Sequence, residues 1–98
     1  MKLSFVHADP SERAGTSLQG EYLTTYDDIV NTFGEPTQQG DGVKTTVEWI
    51  IKFENGSVAT IYDWKYGHTP KDFTEWNIGG KCKQDYYNVI FQLMRGEK

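Results

Sequence analysis

From position 43 the chain alternates: Val43, Thr45, Val47, Trp49, Ile51 and Phe53 are separated by Lys44, Thr46, Glu48, Ile50, Lys52 and Glu54. A period of two marks a strand that buries one face. Asn55-Gly56 follows and is a strong hairpin signal, because the central turn positions need φ above zero. A two-residue loop sets Phe53 opposite Val58, Ile51 opposite Thr60, Trp49 opposite Tyr62 and Val47 opposite Trp64. That face is apolar and aromatic and is expected to carry the core. A three-residue loop with a bulge would shift the pairing by one.

The period changes elsewhere. Tyr26, Ile29, Val30 and Phe33 fall on one helical face, with Thr25 placed to cap the first amides and Asp27 and Asp28 at the positive end. Gly34 and Pro36 end that helix. Before it, Thr16–Leu23 reads as a strand with Gly20 as a bulge, and residues 1–15 read as a loosely held arm with a short strand at Leu3–His7. After the loop Lys65–Thr74, the run EWNIG reads as a last strand. GGKCKQDYYNVIFQLMRG then reads as an amphipathic helix whose stripe is Tyr86, Ile90, Leu93 and Met94, flanked by Tyr87 and Phe91. The order β-α-β-β-β-α predicts an α+β fold, a small antiparallel sheet with helices packed on one face, in a single domain over residues 16–98.

Ninety-eight residues make a small core, and a 14% aromatic share compensates because each ring can bury roughly 150–250 Å². A net charge of −4 argues against non-specific binding to nucleic acid or to a membrane surface, both of which need a basic footprint. The single cysteine, Cys82, precludes an internal disulfide and suits a reducing compartment. No apolar run is long enough to predict a membrane span, and the first ten residues lack the apolar core of a secretory signal.

The candidate chemistry gathers after Trp64. Tyr66, His68, Phe73 and Trp76 lie on or beside a polar loop, where alternation no longer dictates burial, and Lys65, Lys71 and Lys81 rim them. Gly79-Gly80-Lys81 stands between a strand and a helix, where free amides could hold a phosphate or carboxylate, although it lacks P-loop or dinucleotide spacing. The alternative for the glycines is a tight turn. In the two-residue register Glu48 faces Asp63, with His68 close in sequence. Such a carboxylate pair can serve a metal or acid–base site, but two solvated carboxylates also tolerate one another. Cys82 between Lys81 and Lys83 is a candidate reactive thiol without triad partners. No cofactor or metal motif is present.

The words SLQGEYLTTYDDIVNTFGEPT, VEWIIKFENGSVATIYDWK and WNIGGK, in that order, resemble a group of small bacteriophage proteins sharing SLQG…YDDLV..FGEPT…VEW…DG.VATIYDYK…WHIGG. The resemblance covers about Thr16–Lys81, and Asn77 stands where that pattern carries histidine. It implies a phage origin, expression in the host cytoplasm and a non-enzymatic accessory role, foremost the inhibition of a host defence protein. Two alternatives remain open, a sponge for a nucleotide-type signalling ligand and a small hydrolase using Glu48, Asp63 and His68. A homo-oligomer formed by self-pairing of an exposed strand edge is a further class.

Overall fold

The computed structural model describes residues 4–40, 42, 44–64 and 68–96. Six strands, β1 (Phe5–His7), β2 (Ser17–Thr24), β3 (Gln38–Gln39), β4 (Val47–Phe53), β5 (Val58–Tyr62) and β6 (Thr74–Gly80), form one sheet. Helices α1 (Tyr26–Phe33) and α2 (Lys83–Gly96) complete the α+β fold. The strand order is β1-β4-β5-β6-β2, with β3 also paired to β4, and every pairing is antiparallel.

The hairpin takes the shifted register. Trp49 pairs with Ile61, Ile51 with Ala59 and Glu48 with Tyr62. The Phe53 amide donates to the Ser57 carbonyl at 2.9 Å and the Gly56 amide returns to the Phe53 carbonyl at 2.8 Å, so the loop is Glu54-Asn55-Gly56. Gly56 sits at φ 89°, which glycine adopts without strain, and supplies the bulge that a type I turn needs to match the strand twist. Asn55 adds a local support by accepting from the Ser57 amide at 3.0 Å. One residue of shift exchanges the faces of β5. Ala59 and Ile61 point to the core, whereas Thr60 and Tyr62, expected there, point the other way. Val43 lies outside the described residues.

Both helices cover one side of the sheet, as the element order predicts. Trp49, Ile51, Phe53, Ala59, Ile61, Trp76 and Ile78 pack there against Ile29 and Phe33 of α1 and Val89 and Leu93 of α2. Trp49 and Trp76 meet edge to face at 5.6 Å, and the Tyr26 ring leans on both at 5.7 and 6.5 Å. Trp76 is 0% exposed, so it is a core residue and not a free loop aromatic. The C-terminal stripe is also rotated from expectation. Val89 and Leu93 are buried and Tyr86 and Ile90 half-buried, while Tyr87, Phe91 and Met94 stay exposed.

Local signals at α1 act as read. The Thr25 hydroxyl accepts from the Asp28 amide at 3.1 Å, and the Gly34 amide closes on the Val30 carbonyl at 2.7 Å. Residues 4–15 are tied down instead of forming a loose arm. Strand β1 pairs with β4, and His7 bridges the Phe33 carbonyl at 2.7 Å and the Thr37 hydroxyl at 2.6 Å. A 3-10 turn at Pro10–Arg13 then lies across the side of the sheet without helices. Ala8, Ile50 and Val58 form a small second core on that side. Two ion pairs hold the turn: Arg13 to Glu48 at 2.6 Å and Glu12 to Lys52 at 3.0 Å.

The outer edge of β2 is guarded by α2. The Tyr86 hydroxyl donates to the Glu21 carbonyl at 2.8 Å, and the Lys83 ammonium donates to the Gln19 carbonyl. Gly20 allows this, because a Cβ there would stand 2.7 Å from the Tyr86 ring. Two outward carbonyls are thus occupied, which opposes pairing with another strand.

The two core indoles differ in one bond. Trp49 Nε1 donates to the Gly34 carbonyl at 2.8 Å, whereas Trp76 Nε1 is the one buried side-chain nitrogen or oxygen among the described residues that lacks a partner. Trp49→Ala and Trp76→Ala should each cost roughly 3–5 kcal/mol of unfolding free energy. Trp49→Phe should cost about 1 kcal/mol more than Trp76→Phe, since it strands a carbonyl while the other removes an orphaned donor. Urea unfolding of the four variants measures both differences.

Candidate functional site

The residues expected to form a site are scattered. Lys65 and Tyr66 lie outside the described residues. His68 and Phe73 are exposed beyond the sheet, but Trp76 is in the core. The Lys71 ammonium sits 3.8 Å from the centre of the Tyr26 ring, a cation–π contact that caps the aromatic core. Burial, and after it the charges of Glu35 and Asp27, raise the Tyr26 phenol above its ordinary pKa.

Gly79 and Gly80 are not a turn. Both belong to β6, paired to Leu18 and Ser17 on one side and to Thr60 and Ala59 on the other. They are glycine for want of space. A Cβ on Gly79 would stand 2.6 Å from Thr60 Oγ1, and one on Gly80 would stand 2.5 Å from Asp85 Cβ. The start of α2 is already filled. The Asp85 carboxylate accepts from the Lys81 amide at 2.7 Å and the Cys82 amide at 3.2 Å, so no phosphate seat is left at Gly79–Lys81. Lys81 and Cys82 are exposed beside it.

Glu48, Asp63 and His68 do not converge either. The register sets Glu48 against Tyr62. Asp63 is buried, and its carboxylate accepts from the Thr46 amide at 2.8 Å, the Val47 amide at 3.2 Å and the Thr46 hydroxyl at 2.7 Å. That carboxylate closes the open end of the hairpin. Among the described residues no group of three His, Cys, Asp or Glu is placed to hold a metal.

A different site lies on the side of the sheet away from the helices. Arg13, Glu48, Thr60, Tyr62, Trp64 and Gly79, with Thr16, Ser17 and Thr45 around them, line a cleft of about 390 Å³. Its floor is where Thr60 faces Gly79 across β5 and β6. The Thr60 hydroxyl and the Ser17 carbonyl fill the space over that glycine. One wall is aromatic: Tyr62 and Trp64 meet edge to face at 6.4 Å, and the Lys44 ammonium lies 6.0 Å from the Trp64 ring centre. The other wall is the Arg13 guanidinium, 50% exposed, bound to a Glu48 carboxylate that is only 9% exposed. The same carboxylate oxygen also accepts from the Gln38 amide at 2.9 Å.

The hairpin explains why pattern reading missed this site. A two-residue turn puts Tyr62 and Trp64 in the core, and the observed turn puts them at the cleft. Arg13 was hidden in a segment expected to be loose. The one signal available was the alternative register at Asn55-Gly56.

No protein-family model, curated protein or solved structure matches the chain. Among the described residues no helix is long and apolar enough to cross a membrane.

Burial, and after it the charge of Glu48, raise the Tyr62 phenol above the ordinary 10.0. Ionisation of Tyr62 therefore opposes folding. The stability tied to its neutral form is complete below pH 10, and it is lost as pH rises through the higher folded value. Tyr62→Phe should leave stability at pH 8 nearly unchanged and should weaken its alkaline decline, read by urea unfolding between about pH 8 and 11. The variant should also lose one late-titrating tyrosine in ultraviolet absorbance.

Proposed function

We propose that this protein is a non-enzymatic phage accessory protein that acts in the host cytoplasm by occupying a host protein, with a defence protein as the target class. The observation that carries the reading is the open side of the sheet. Leu18 and Leu23 of β2 point to it and are exposed, as is Trp64 beside the cleft. Apolar side chains grouped on one sheet face mark interaction surfaces. An aromatic and an arginine near a partly desolvated ion pair are the residue types that concentrate binding energy. A partner covering this side would bury on the order of 800 Å² of it. Phage origin and the defence target rest on the sequence resemblance, and the exposed His68 and Phe73 form the competing anchor patch.

Affinity capture from host lysate tests the assignment. Tagged wild-type protein should retain a host protein in stoichiometric amount. A Leu18→Ser/Leu23→Ser/Trp64→Ser variant should lose it while keeping a wild-type circular dichroism spectrum, and His68→Ala/Phe73→Ser should keep it. Capture that survives the triple variant and fails in the loop variant would move the interface to the loop.

A further inference from the structure

The polar atoms of the cleft are unevenly matched. Thr60 is 2% exposed, yet its hydroxyl has no hydrogen-bond partner among the described residues and opens on the cleft. That hydroxyl is not sealed from solvent, so a guest in the cleft can reach it as donor or acceptor. Tyr62 likewise brings a phenol without a partner among those residues, a donor at neutral pH. Arg13 spends one nitrogen on Glu48 and is half exposed, whereas a guanidinium has five N–H donors. Glu48 also lines the cleft, and its Oε1 takes bonds from Arg13 and Gln38. The spare Arg13 donors and the Tyr62 phenol suit a guest that brings acceptors, among them an oxyanion that an arginine can grip.

The shape adds a second requirement. The Thr60 hydroxyl lies over Gly79, and the wall is the exposed Trp64 ring with Tyr62 set edge to face beside it at 73°. A flat ring can lie on such a surface, and any base has the π-face needed to stack there. The volume, about 390 Å³, lies in the range of small-molecule sites. A polymer is disfavoured, because a chain of net charge −4 repels an extended polyanion once it leaves the cleft.

We infer that the cleft is a binding site for a mononucleotide-type ligand, with the ring against Trp64 and Tyr62, the phosphate on Arg13 and Thr60 meeting a polar atom of the guest. This goes beyond the protein-blocking reading and does not depend on it. It also places nucleotide chemistry away from the glycine pair, where Asp85 fills the amides.

Calorimetric titration of the full chain with AMP, GMP, CMP and UMP, with orthophosphate and the four nucleosides as controls, tests it. At least one nucleotide should bind saturably, and its nucleoside and orthophosphate should each bind at least about tenfold more weakly. Trp64→Leu should weaken nucleotide binding by about tenfold or more, the scale of one lost base–aromatic stack. Thr60→Val, which keeps the shape and removes the hydroxyl, should weaken it about tenfold, the scale of one hydrogen bond. Both variants should melt like wild type without ligand, which separates a binding loss from a folding loss. The inference is overturned if no nucleotide binds, if orthophosphate or a nucleoside binds as well as the nucleotide, or if neither substitution weakens binding. Host-protein capture is read in a separate experiment, so either idea can fail alone.

Discussion

At the tip of the β4–β5 hairpin, the Phe53 amide reaches the Ser57 carbonyl across a loop whose last residue, Gly56, has positive φ. That closure sets the register of the two central strands, and the register decides which side chains of β5 meet the helices. With Trp49 against Ile61, the aliphatic positions of β5 fill the core, while its hydroxyls and aromatic ring turn outward. A slip of one residue would send Thr60 and Tyr62 beneath α1 and α2 and expose Ile61. The core and the cleft are two outcomes of one turn.

The two sides of the sheet are built by different means. On the helix side, close-packed rings and aliphatic chains meet without solvent, as in the edge-to-face contact of Trp49 and Trp76. On the other side the cover is one 3-10 turn, a small apolar patch and two ion pairs. That lighter cover leaves room for a cleft between the turn and Trp64. The flanking edge is guarded by side chains of α2, which directs interaction toward the face of the sheet and away from its rim.

Elements with strong local signals could be read directly. Thr25 and Gly34 bracket α1 as expected, and the alternation through β4 marks a true strand, because capping and periodicity are properties of neighbouring residues. Trp76 was misread because nothing nearby in sequence shows that β6 lies between β5 and β2 with that indole pointing inward. The glycine pair was misread for a related reason. A glycine needed for close approach and one needed for a turn look alike until the opposing Thr60 and Asp85 are in place. Arg13 could not be connected to Glu48, since their contact spans 35 positions and depends on the whole sheet.

The two tethers of the 3-10 turn differ in their shelter. The Glu12–Lys52 pair is well exposed on both partners, whereas the Glu48 end of the other pair is almost sealed from water. Dissolved ions screen the first far more than the second. Rising ionic strength would therefore loosen the Glu12 end of the turn first, while Arg13, the residue of the turn that lines the cleft, stays held by Glu48.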